Sequence, residues 1–85
     1  MAPDAFLAAF RHFTANTPYR WWTIELASRQ WLLVRHAEEV RVRPDGAIVM
    51  TEIHGIEHWF DASSVIRVMA YTEVLFGPDD AGIPF

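Results

Sequence analysis

Between residues 22 and 70 the chain runs in short stretches that alternate apolar and polar side chains, separated by turn residues. Trp22-Thr23-Ile24-Glu25-Leu26 alternates, and Trp31-Leu32-Leu33-Val34 follows after a short break. Glu39-Val40-Arg41-Val42-Arg43 alternates again, and Pro44-Asp45-Gly46 leads into Ala47-Ile48-Val49-Met50. Trp59-Phe60 and Val65-Ile66-Arg67-Val68-Met69 complete the series. A period of two bounded by turn residues marks half-buried antiparallel strands, so the chain is predicted to be mainly β.

The faces follow from the same period. In the first strand Trp22, Ile24 and Leu26 point one way and Trp21, Thr23 and Glu25 the other. Trp21 and Trp22 therefore face opposite sides. One is core, and Trp21 is the candidate for an interface anchor, because buried tryptophans dominate many contact surfaces. The second strand, Gln30 to about His36, is apolar at four successive positions, which predicts cover on both faces. Ala37-Glu38-Glu39 reads as a polar connection. The third strand puts Val40 and Val42 inward and Arg41 and Arg43 outward. Proline fixes φ and glycine permits positive φ, so Pro44-Asp45-Gly46 is the strongest turn signal in the chain. The fourth strand runs from Ala47 to about Ile53, a turn lies at His54-Gly55-Ile56, and the fifth strand contains His58-Trp59-Phe60. Asp61-Ala62-Ser63-Ser64 reads as one tight helical turn before the last strand, Val65 to Ala70.

Residues 3–15 predict an amphipathic helix. Pro3 suits the first helical position and Asp4 complements the positive helix start. Phe6, Leu7, Phe10 and Phe13 share one face by their three- and four-residue spacing. A short lone helix is unstable unless it packs that face, so its expected place is over the open end of a barrel. From Tyr71 onward the glycines and prolines predict an irregular tail over 71–85, whose last residue, Phe85, is a further candidate contact.

Eighty-five residues predict one domain, with the helix at 3–15, the β region at 19–70 and the tail at 71–85. Chains of this size bury only about 60% of their unfolded surface. Yet 52% of the residues are apolar and 14% aromatic, with four Trp and six Phe, more than so small a core holds. The surplus predicts an exposed apolar patch and self-association, which adds the missing burial. There is no cysteine, hence no disulfide, no thiolate metal site and no thiol nucleophile, in keeping with a reducing cytoplasm. No basic segment leads into an apolar run at the amino terminus, and no apolar stretch approaches the ~20 residues needed to span a bilayer, so neither a signal peptide nor a membrane partner is expected.

Helix, about five short antiparallel strands, and a tight turn before the last one: this order fits a small SH3-like barrel. It also resembles the Sm-like proteins, in particular the bacterial Hfq group. Their opening helix is similar to Asp4-Ala5-Phe6-Leu7-Ala8-Ala9-Phe10 and their first strand to Thr23-Ile24-Glu25-Leu26. Their last signature, an aromatic pair, a one-turn corner and a Val-rich strand, is similar to Trp59-Phe60-Asp61-Ala62-Ser63-Ser64-Val65-Ile66-Arg67-Val68. The resemblance covers about residues 4–70 and implies a ring-forming homo-oligomer. Hfq-like chains carry an Asn-Gly-type turn after strand one, where Ser28-Arg29 stands here, and a Lys-His pair used for RNA, where Phe60-Asp61 stands. The reversed charge works against uridine-type RNA binding. Pro18 to Leu26 with Val34-Arg35-His36-Ala37-Glu38 also resembles small bacterial proteins of similar length, a likeness that brings no activity with it.

His54-Gly55-Ile56-Glu57-His58 matches H-x-x-E-H, a zinc-peptidase motif that works on a helix, where both imidazoles share a face. Here strand sequences flank it and Gly55 interrupts it, so it reads as a polar hairpin tip; His54 and His58 are at most an incidental metal pair. His36 with Glu38 and Glu39 lacks a third ligand and reads as a solvated loop. Ser63 and Ser64 have no Gly-rich elbow, and no phosphate-binding glycine loop exists. No cofactor and no catalysis are expected. Arg35, Arg41 and Arg43, near Trp31, form a possible strip for single-stranded nucleic acid, in which bases stack on aromatics. A net charge of −4 opposes that role, and cross-strand Arg–Glu pairing is the competing account. The expected function is a non-enzymatic, self-assembling interaction module binding a protein partner through Trp21, Trp31, Phe60 and Phe85. An RNA- or ssDNA-binding Sm-like protein is the alternative, and a small acidic inhibitor or accessory protein a third.

Overall fold

The computed structural model describes residues 1–52 and 54–72. Helix α1 covers Pro3–Thr14, and six strands follow: β1 (Trp22–Leu26), β2 (Trp31–Val34), β3 (Val40–Val42), β4 (Ile48–Thr51), β5 (Glu57–Phe60) and β6 (Val65–Ala70). Single 3-10 turns at Ala37–Glu39 and Ala62–Ser64 precede β3 and β6. All pairings are antiparallel and give two three-stranded sheets, ordered β2-β1-β6 and β3-β4-β5.

The chain is thus mainly β with one N-terminal helix, as the alternation predicts. The closed barrel of about five strands is corrected: among the described residues there are six strands, and no strand of one sheet pairs with a strand of the other. At the β2–β3 junction the chain turns for a local reason. Between β2 and β3 the N–H groups of Arg35 and His36 both donate to Glu39 Oε1, at 2.7 and 3.0 Å. The carboxylate takes donors that a continuous strand would give to a neighbour, and the chain turns there instead. Glu39, expected in a solvated connection, is therefore buried.

The core lies between the inner faces of the sheets. Trp22, Ile24 and Leu26 of β1 meet Leu32, Val34, Val40, Ile48 and Met50 there. Helix α1 brings Phe6 into the same cluster, with Phe10 and Phe13 packed against it. The Phe13 ring stacks on Trp22 with 5.1 Å between centroids and an interplanar angle of 6°. The apolar face read from the sequence is the buried one, but with no closed barrel the helix lies along the core, near β6 and the Ala62–Ser64 turn. Such aromatic pairs add roughly 0.5–1.5 kcal/mol beyond the area they bury.

Two strands depart from the expected burial. Every residue of β1 is buried, not alternate ones, because β1 is the central strand of its sheet and its outward side chains are covered by those of β2 and β6. Strand β2, expected to be covered on both faces, buries only Leu32 and Val34, because it is an edge strand and its outer face lies open. The hairpin turns are as predicted. Gly46 has φ of 90° and its N–H donates to the Arg43 carbonyl at 2.9 Å, while Asp45 Oδ1 accepts from the Ala47 N–H at 3.0 Å. Strand β4 ends at Thr51; Ile53, and Phe85 with the rest of the tail beyond Thr72, lie outside the described residues.

Tyr19, in the lead-in to β1, ties three segments together. Its hydroxyl donates to the Val34 carbonyl at 3.1 Å and accepts from Trp22 Nε1–H at 2.9 Å. Burial pushes the phenol above its ordinary pKa, the Trp22 hydrogen bond opposes this, and the charges of Glu39 and Glu38 add to the rise. A pKa higher in the folded than in the unfolded state means that the native phenol holds its proton more tightly. That contribution is full below about pH 10 and is lost as pH rises through the folded pKa. Denaturant titrations are expected to show stability falling above about pH 10, less steeply in Tyr19→Phe than in the natural chain. Equal alkaline slopes in the two proteins would contradict this role.

Candidate functional site

Both sheets turn a face away from the core, and the exposed tryptophans gather on those faces. On the first sheet Thr23 and Glu25 point outward, opposite the core-facing Trp22, Ile24 and Leu26. In register, Glu25 lies between Trp31 of β2 and Arg67 of β6, and Thr23 between Leu33 and Met69. Trp21 continues this face beyond the end of β1. The Tyr71 N–H donates to the Trp21 carbonyl at 3.1 Å, and the two rings lie 5.6 Å apart.

Glu25 is a buried acid with a half-solvated partner. Arg67 Nε donates to its Oε1 at 2.6 Å, with 8% of the Glu25 side chain and 58% of the Arg67 side chain exposed. Thr23 Oγ1 donates to the Met69 carbonyl at 3.3 Å. Beside this pair the register shifts between Glu25 and Leu26, which leaves Ile66 as an extra residue in β6, exposed at the bulge.

On the second sheet Arg41, Val49 and Trp59 form one row across β3, β4 and β5. Val49 is buried between the two larger side chains. The Arg43 guanidinium carbon lies 5.1 Å from the centre of the Trp59 ring, a cation–π contact. Glu57 lies 3.7 Å from Arg41 and accepts from Trp59 Nε1–H at 3.3 Å, and Arg43 Nε stands 3.6 Å from Asp45. The surface is an arginine–tryptophan platform whose cations already have acidic neighbours.

The predicted site residues distribute unevenly over these surfaces. Trp21 and Trp31 are both exposed, at 45% and 42%, and share the first outer face. Phe60 does not join them: it is paired with Ile48, points inward and packs against the core, because Trp59 takes the outward position in β5. The arginine strip is split. Arg41 and Arg43 share the second sheet, whereas Arg35 follows β2 on the first, and the aromatic beside the arginines is Trp59 rather than Trp31. The H-x-x-E-H segment lies on the β4–β5 hairpin, not on a helix, with His54 exposed in the turn, Glu57 outward and His58 inward beside Met50. His58 Nε2 is buried without a hydrogen-bond partner, 3.6 Å from Glu52 Oε2. Among the described residues no group of three or more His, Asp or Glu side chains is arranged to hold a metal ion. Ser63 and Ser64 serve the corner before β6: both hydroxyls donate to Asp61 Oδ1, and these bonds hold the Asp61 carboxyl below the usual carboxylate range.

Trp59 is the residue that sequence reasoning passed over. At 56% it is the most exposed of the tryptophans, and its adjacency to Phe60 held the signal, since neighbours on a strand face opposite ways and only one can be core. Among the described residues no helix is long and apolar enough to cross a membrane. Compared with protein families, curated proteins and solved structures, the chain matches none.

The Glu25–Arg67 pair yields an asymmetric expectation. Removing the partner of a buried carboxylate leaves an uncompensated charge, whereas neutralising the carboxylate as well removes most of that penalty. Arg67→Met is expected to cost about 2 kcal/mol, less than a fully buried pair because Arg67 is half in water, and Glu25→Gln added to it is expected to recover at least half of the loss. Urea denaturation of the single and double variants measures both, and strictly additive losses would show that the pair is not coupled.

Proposed function

We propose that this protein is a non-enzymatic interaction module that assembles with copies of itself and offers its remaining surface to a protein partner. The observation that carries the reading is the exposure of three of its four tryptophans, Trp21, Trp31 and Trp59, while Trp22 alone fills the core. A chain short of core volume that leaves such side chains in water gains most by covering them in a contact. The resemblance to Sm-like proteins supports the same reading, and so does the one-turn corner at Ala62–Ser64 ahead of β6. Among the described residues the edge strand β5 has one strand neighbour, so edge pairing between copies is available to it. The lack of cysteine is in keeping with a cytoplasmic setting.

A second reading has one specific support, the stacking of Arg43 on the exposed Trp59 with Arg41 on the same face. That is the chemistry of single-stranded nucleic acid contacts. It is the weaker of the two, because Glu57 and Asp45 stand beside both arginines and the chain carries a net charge of −4.

Native mass spectrometry of the protein taken directly from lysate tests both. The expected species is a discrete multiple of 9.8 kDa without bound nucleotide. A bare monomer at high micromolar concentration rejects self-assembly. Retained oligonucleotide that is lost on raising the salt favours the second reading.

A further inference from the structure

We infer that the outer face of the first sheet is covered by the same face of a second copy, the two related by a two-fold axis that runs along β1 between them. The inference rests on the self-assembly part of the proposed function and names the surface and its symmetry. A two-fold contact must be self-complementary, because residue i of one copy meets residue j of the other and the reverse holds as well. An axis along β1 exchanges the two flanks of the sheet, so each residue of β2 meets its counterpart across β1 on β6.

The rows of this face answer that requirement. In the row through Glu25 one flank is Trp31, a half-exposed aromatic, and the other is Arg67, a half-exposed cation. The exchange sets each Trp31 against Arg67 of the other copy and forms two cation–π contacts. In the row through Thr23 the flanks are Leu33 and Met69, both apolar, so the exchange sets apolar against apolar. Trp21 stands on the line of β1 and meets its own copy near the axis.

Charge selects the same occupant. The Glu25 carboxylate is already held by Arg67 at 2.6 Å, so the row carries no net charge. The axis also sets Glu25 opposite Glu25 of the other copy, but each carboxylate is buried and carries its own Arg67, so the two meet as neutral pairs, and a strongly charged partner finds no complementary field. Ile66, exposed at the bulge, extends the apolar surface at the end of the face beside Glu25 and Arg67.

Sedimentation equilibrium of a set of variants tests the inference, with circular dichroism as the check on folding. Trp31→Arg sets a cation against Arg67 of the other copy and is expected to weaken self-association at least tenfold while the chain stays folded, since position 31 lies at an edge. The double variant Trp31→Arg/Arg67→Trp exchanges the flanks and keeps an arginine in register with Glu25, now from β2. It is expected to associate within about threefold of the natural chain. If Trp31→Arg does not fold, Trp21→Cys, in a chain with no other cysteine, is expected to give a covalent dimer with a short bismaleimide. Association unchanged in Trp31→Arg, failure of the double variant to recover, or no cross-link at position 21 under conditions where the natural chain associates would each overturn this face while leaving self-assembly standing. A natural chain that is monomeric throughout overturns both.

Discussion

The rest of the structure depends on β1 being out of water along its whole length. A strand that is buried on both sides must satisfy two different chemistries at once. Inward, Trp22, Ile24 and Leu26 anchor the apolar cluster that holds the second sheet and α1. Outward, Thr23 and Glu25 are polar and still buried, so each needs a partner supplied by β6: the Met69 carbonyl for the hydroxyl and the Arg67 guanidinium for the carboxylate. The register of β6 is therefore tied to β1 by polar pairing on one face and by packing on the other. The bulge that exposes Ile66 lies where the two demands meet.

The region around β2 follows from the same centre. Tyr19 links Trp22 to the end of β2 through two hydrogen bonds, and Glu39 then turns the chain by accepting from Arg35 and His36. These contacts use side chains to satisfy backbone groups that an unbroken strand would have paired with its neighbour. Among the described residues the two sheets are separate, and it is on their outer faces that Trp21, Trp31 and Trp59 remain in water.

The two outer faces differ in kind. The first is apolar and aromatic around one internally neutralised ion pair. The second is an arginine–tryptophan stack in which each cation has an acidic neighbour. A face of the first kind gains by excluding water over a large area, which is what association with a like surface offers. A face of the second kind offers planar, charge-assisted contacts and suits a smaller or transient ligand. In the proposed function the first face serves self-assembly and the second is left for a different partner.

Much was legible in the chain alone. The period-two runs located the strands, the spacing of Phe6, Phe10 and Phe13 located the helix face, and Pro44-Asp45-Gly46 and His54-Gly55-Ile56 located the hairpins, because all of these are local preferences of backbone and side chain. The adjacency of Trp21 and Trp22 showed that one had to be outside the core. What the chain could not decide was which layer, if any, lay on each side of a strand. Glu39 read as solvated and is buried, Glu25 read as pointing away from the core and is buried all the same, Leu33 read as covered and is only half-buried, and Phe60 read as a contact and is packed against the core. Alternation fixes that neighbouring side chains oppose one another, but central or edge position, and the partner that makes a buried carboxylate tolerable, arise only when distant strands pair. Local periodicity determined the elements; pairing across the chain decided which faces meet water, and hence where this protein has surface left to bind.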